Sequence, residues 1–179
     1  MITHDLQALI PRFLKTTRLI WFAFIGGPVI YAVLTWYLVS SRTEAFEPSL
    51  PPEGLYALIA IAVVSGPVFS WVIAPLIAGP KKMVSHAGDT QLVTDFGDDQ
   101  ARYERLSETD KKRAQLLGAI QSSHIVRWAG AESVAIYGMI GIFTGIVSLQ
   151  GAWIFQAAAI LLLMLLRPDY ESYLENLSV

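Results

Sequence analysis

The sequence has no cysteine, which excludes disulfides, thiol catalysis and cysteine-held metals. Charge is scarce as well. Asp, Glu, Lys and Arg make up 16% of the 179 residues, where a soluble domain carries roughly 25%. None of these charges falls in residues 19–41, 54–80 or 133–166, runs of 23, 27 and 34 residues. There are three histidines, no nucleophile set with histidine and acid, no phosphate-binding loop and no pair of carboxylates within an apolar run. The chain is accordingly expected to be neither an enzyme nor a cofactor carrier. With so little polar sequence it is not expected to bind nucleic acid.

What the sequence has is apolar bulk: 54% of residues are hydrophobic and the mean hydropathy is +0.48. About 20 apolar residues cross a bilayer as a helix, so the first two runs supply one crossing each and the third supplies two. The first run is too long for the apolar core of a cleaved signal, and Trp36, Tyr37 and Leu38 stand before Ser40 and Ser41 where small residues would mark cleavage. It is read as a retained helix. The expected fold class is all-α, a polytopic membrane protein of four transmembrane helices in two hairpins, joined by a partly helical cytoplasmic segment.

The expected layout is an amino-terminal arm (1–16), a first hairpin (17–80) with helices near 17–39 and 55–78, a cytoplasmic segment (81–122), a second hairpin (123–166) with helices near 123–147 and 152–166 about a turn at 148–151, and a tail (167–179). Trp21, Trp36, Trp128 and Trp153 stand near the expected helix ends as interfacial anchors. Gly26, Gly27 and Pro28 interrupt the first helix, and Pro28 removes the donor that would serve the carbonyl of Phe24, so a kink is expected there. Pro67 and Pro75 are expected to bend the second helix twice. Ser107 and Asp110 have the spacing of a capping box, from which one long helix should run into the third apolar stretch. Of thirteen bases, all but Arg42 fall on one side of this layout. The positive-inside rule makes that side cytoplasmic, with both termini on it, in a membrane of the bacterial inner-membrane type.

One residue in the apolar sequence asks for a reason. Glu132 lies about nine residues into the third expected crossing with no other charge after it until Arg167. An acid at the centre of a membrane helix costs about 2.5–3.5 kcal/mol on the insertion scale, so it calls for a proton or for a partner. A hydroxyl such as Tyr31 or Thr35, or a base on another subunit, would serve. Arg127 would not, because five residues turn a helix by about 140°; it is expected, with Lys111, Lys112 and Arg113, to meet lipid headgroups. Gly138, Gly141 and Gly145 are small residues at helical spacing and mark close helix packing. His124, at the edge of the same helix, is the nearest to a pigment or haem ligand but reads better as a headgroup or backbone partner. His86, Asp89, Asp95, Asp98 and Asp99 fit no calcium-loop or paired-histidine spacing and read as a solvated loop without metal.

The string AESVAIYGMIG at 131–141 resembles the carboxylate-bearing helix of the ATP synthase and V-type ATPase proteolipid (c) subunits, in which a membrane glutamate is followed five residues later by tyrosine and then glycine. Glu132, Tyr137 and Gly138 occupy those places, and the resemblance implies that Glu132 is an ion-binding carboxylate with Tyr137 beside it. A faint internal echo pairs Ala23 with Ala129, Ile30 with Ile136 and Tyr31 with Tyr137, similar to the duplicated V-type proteolipids. The chain lacks the glycine series of that family's first helix. Three expectations follow. The first is a non-enzymatic accessory or structural subunit of a larger respiratory, photosynthetic or transport complex, in contact with lipids and with other membrane subunits or copies of itself. The second is proton or sodium translocation through Glu132. The third is an adaptor working through residues 81–122.

Overall fold

The computed structural model describes residues 4–41, 52–78 and 100–168. Among them every regular element is helical and no strand occurs. Residues 42–51 between the first two expected helices, residues 79–99 with the expected loop from His86 to Asp99, and residues 169–179 of the expected tail lie outside the described residues. The elements are α1 (His4–Ser40), α2 (Pro52–Val63), a π-helical stretch π1 (Val64–Ile73), α3 (Ala74–Ala78), the short α4 (Gln100–Glu104), α5 (Glu108–Phe143) and α6 (Leu149–Leu165). The rod α2–π1–α3 is continuous, so the architecture is four long helical rods. Two of them, Leu6–Ser40 and Glu53–Leu76, are long and apolar enough to cross a membrane.

The central element is α5, which packs on α6, on α1 and on π1. The rod α2–π1–α3 lies on α5 and scarcely touches α1, so the first two long helices do not form a packed pair. Instead α1 runs parallel to α5, with Leu6 and Leu9 against Ala114, Ile10 against Leu117 and Ile120, and Tyr31 beside Glu132. The helix therefore begins at His4 rather than near residue 17. The reason is an apolar stripe, Leu6, Leu9, Ile10, Phe13 and Leu14, at helical spacing, which α5 covers. The segment expected as an arm is the first part of α1, and with the start of α5 and with α4 it forms a stem.

At the start of α5 the Ser107 half of the expected capping box is in place. Ser107 is extended (φ −61°, ψ 156°) and its hydroxyl accepts the Asp110 backbone N–H at 3.2 Å, an arrangement that stabilises a helix start by about 1 kcal/mol. From there the helix runs 36 residues without a break. It ends earlier than expected. Gly145 takes φ 71°, its N–H bonds to the Ile142 carbonyl at 3.1 Å, and the Ile146 N–H bonds to the Gly141 carbonyl at 2.8 Å, the pattern of a Schellman stop. The turn is at 144–148, not 148–151, because Ser148 caps α6 by accepting the Gly151 N–H at 3.2 Å. Gly145, expected as a packing glycine, is the left-handed residue of that turn.

Prolines shape the other rods. Pro67 sits inside π1, where the ring removes one amide donor and crowds the carbonyl four residues before it. Around it the chain widens into ten residues of π-helix, with the Ala74 N–H reaching back five residues to the Phe69 carbonyl. By the same pattern the Ser70 carbonyl would be served by residue 75, which is a proline without N–H. The donor comes from α5: Arg127 Nε donates to the Ser70 carbonyl at 3.0 Å, and the Ser70 hydroxyl donates back to the Arg127 carbonyl at 2.8 Å. At the end of α6 the Arg167 N–H bonds to Met164, and residue 168 is proline. The carbonyls of Leu163 and Leu166 accept instead from the indole N–H groups of Trp21 and Trp128, both at 2.9 Å. Trp128 is fully buried, so it is a core residue and not the interfacial anchor its position in sequence implies.

The surface is divided. Among the described residues twenty-four large apolar side chains are exposed, all within residues 19–37, 56–76 and 140–165; the described part of the stem exposes none. Replacing Trp128 by Phe leaves the Leu166 carbonyl without its indole donor, a loss on the order of 1–3 kcal/mol. We expect a lower thermal midpoint for W128F in detergent and little change for W153F, whose ring is exposed.

Candidate functional site

Glu132 and the elements around it place a carboxyl group at the depth of the apolar surface. On α1, Gly27 and Tyr31 are one helical turn apart and so share a face. The Tyr31 hydroxyl donates to Glu132 Oε1 at 3.1 Å. Gly27 supplies the space: a Cβ built there would overlap Glu132 Oε1. The neighbouring Pro28 is buried, so the Gly-Pro step that reads in sequence as a helix break is the place where α1 admits the carboxyl group. Glu132 itself is half-buried. Tyr31 is its one hydrogen-bond partner, and no base forms an ion pair with it, among the described residues.

A carboxyl group held this way by a single phenolic O–H keeps its second oxygen for another donor or for a proton. Of the two hydroxyls expected as partners, Tyr31 is the one used. Thr35, one turn further along α1, is buried and its hydroxyl has no partner among the described residues. Tyr137 is not brought to Glu132. Five residues on along α5, it packs on the apolar cluster that contains Leu58, Val134 and Phe155.

The remaining candidates fall into separate places. At Gly138 a Cβ would come within 2.5 Å of Phe155 Cβ, and at Gly141 within 2.6 Å of Val147 and 2.8 Å of Leu58; these two let α6 and α2 approach α5. Gly130 does the same for π1, with Phe69 2.7 Å and the Ser70 hydroxyl 2.9 Å from its missing Cβ. In the stem, Lys111 bonds to Glu108 at 2.9 Å and Arg113 to the buried Asp110 at 3.0 Å, while Lys112 is exposed. The Glu108 carboxylate raises the Lys111 ammonium above its ordinary pKa. Arg127 turns its Nε onto Ser70 and not outward. The His124 ring stacks at a tilt 5.5 Å from Trp128, and no group of three or more His, Asp or Glu able to hold a metal occurs among the described residues.

Sequence reasoning missed Gly27 as the seat of the carboxyl, Ser70 as the partner of Arg127, and both indoles as donors. The signal for Gly27 was the one-turn spacing to Tyr31, legible only once α1 and α5 are known to be parallel neighbours. No known family model matches the chain, and no characterised protein or solved structure aligns with it significantly.

The fit at Gly27 makes a specific prediction. G27A forces the Glu132 carboxyl out of its seat and lowers the thermal midpoint. In a background carrying Glu132→Ala, the same substitution should cost much less, since no carboxyl remains for the added methyl to meet. Equal losses in the two backgrounds would show that the niche is not filled by Glu132.

Proposed function

We propose that this chain is an integral membrane protein whose four long rods cross the bilayer in alternating directions along the sequence, with both ends cytoplasmic, and that it serves as a non-enzymatic structural or accessory subunit of a larger membrane complex. The observation that carries the reading is the division of the surface. The exposed large apolar residues on α1 span 19–37, about 28 Å of helix at 1.5 Å per residue, which matches a hydrocarbon core of about 30 Å. A patch of this extent is foreign to a soluble monomer. The subunit role is supported by the rod α2–π1–α3, held on α5 along one side while Tyr56, Ile61, Val64 and Val72 stand exposed on others. Lipids and neighbouring membrane subunits are the partners this surface suits. The test is to wash native membranes with alkaline carbonate, solubilise them gently and separate complexes by native electrophoresis with mass spectrometry. The chain is expected to stay with the membrane pellet and then to co-migrate with other membrane subunits in fixed ratio. Release by carbonate would overturn the membrane reading, and migration alone would overturn the subunit reading.

A second reading has its own support. Glu132 is a half-buried carboxyl with one hydrogen-bond partner at apolar depth, in a string that resembles the proteolipid helix, and proton or sodium translocation through it is the activity such a group suits. A hydrophobic carbodiimide should then label Glu132, with the label suppressed by sodium if sodium is the ion and falling as pH rises if it is the proton. Absence of labelling under all these conditions would remove this reading.

A further inference from the structure

Two buried polar atoms near the niche have no hydrogen-bond partner among the described residues: the Thr35 hydroxyl oxygen on α1 and the Gln156 carboxamide oxygen on α6. Both side chains are almost wholly inside, 1% and 3% exposed. Gln156 is half satisfied. Its Nε2 donates to the Ala135 carbonyl at 3.1 Å, which fixes the amide between α5 and α6 and leaves Oε1 as an acceptor. Thr35 is unusual in what it does not do. Thr16, Thr17 and Thr144 all donate to the carbonyl four residues earlier, at 2.9–3.1 Å, the ordinary way for a helical threonine to satisfy itself. Thr35 has the Tyr31 carbonyl at the same spacing and does not use it.

The two atoms lie at neighbouring depths on the same side of Glu132. Ala135, which anchors Gln156, is three residues beyond Glu132 on α5, about 4.5 Å along the axis, and Thr35 is four beyond Tyr31 on the parallel α1, about 6 Å. Tyr31 also packs on the cluster that holds Ala135, Ala152 and Phe155, so α1, α5 and α6 converge on this layer. A buried oxygen left without a donor costs on the order of 1–3 kcal/mol, and an acceptor and a hydroxyl at neighbouring depths in one layer are groups that a bridging water molecule would satisfy. A metal cation would need several more oxygens than these two neutral ones. We infer that α1, α5 and α6 bind an ordered water between Gln156 Oε1 and Thr35 Oγ1, one turn from Glu132. Buried waters of this kind, with two to four polar partners, occur about once per 27 residues in globular folds. This one hydrates the interior next to the carboxyl whichever role Glu132 has.

The sign of one substitution decides the matter. Valine is the shape of threonine without its oxygen, so in a dry seam T35V removes an unsatisfied group and holds or raises the thermal midpoint. With the water bound, T35V removes one of its partners and lowers the midpoint by roughly 2–4 °C, while T35S, which keeps the oxygen, falls less. Q156M also loses the bond to Ala135 and is expected to melt lower by itself. Because both side chains hold the same water, the double variant should lose clearly less than the sum of the two singles. A midpoint for T35V at or above that of the parent protein, or full additivity in the double variant, would overturn the inference.

Discussion

A backbone carbonyl that loses its helical donor in an apolar layer has no solvent to turn to and must be given another donor by the protein. A proline creates that situation in the π-helical rod and a helix end creates it in α6, and the answers come from two helices. Pro75 leaves the Ser70 carbonyl to Arg127 of α5. At the end of α6, before Pro168, the carbonyls of Leu163 and Leu166 go to Trp21 of α1 and Trp128 of α5. Each of these side-chain donors is a tie between rods, so the places where the backbone is weakest are the places where the bundle is cross-linked. The same constraint explains why the rod α2–π1–α3, which scarcely meets α1, holds its place: Ser70, inside π1, and Arg127 exchange two hydrogen bonds.

What was legible in the sequence was local. Ser107 and Asp110 specify their cap with no help from distant residues, and the long α5 follows from an unbroken helical pattern. The turn after α5 was misplaced because Ile146 and Val147 continue the apolar run straight through it, so hydropathy sees no boundary where Gly145 makes one. Gly145 was grouped with Gly138 and Gly141 by spacing alone, and only its positive φ separates a turn residue from two packing residues. The early start of α1 was hidden by Arg12, Lys15 and Arg18, which read as a topology signal although they occupy the back of a helix whose other face is Leu6, Leu9 and Ile10.

The carboxyl niche shows the opposite case. Glu132 stands out because an isolated acid in an apolar run is costly, and Tyr31 is one of the hydroxyls that the sequence offers it. Their pairing spans 101 residues, and nothing local fixes it. It depends on α1 and α5 being parallel, which in turn depends on the apolar stripe of the stem closing on Ala114, Leu117 and Ile120. The packing of the stem thus sets the register that delivers Tyr31 and Gly27 to Glu132.

The unbroken length of α5 has a mechanical meaning. Thirty-six residues of continuous helix make a shaft about 54 Å long, with the Asp110–Arg113 pair near one end and Glu132 some 33 Å along it, roughly, at 1.5 Å per residue. The stem contacts, the Arg127 and Trp128 ties and the Glu132 niche thus lie along one continuous element. A rotation of that element about its axis would carry the carboxyl sideways, out of the space that Gly27 leaves for it.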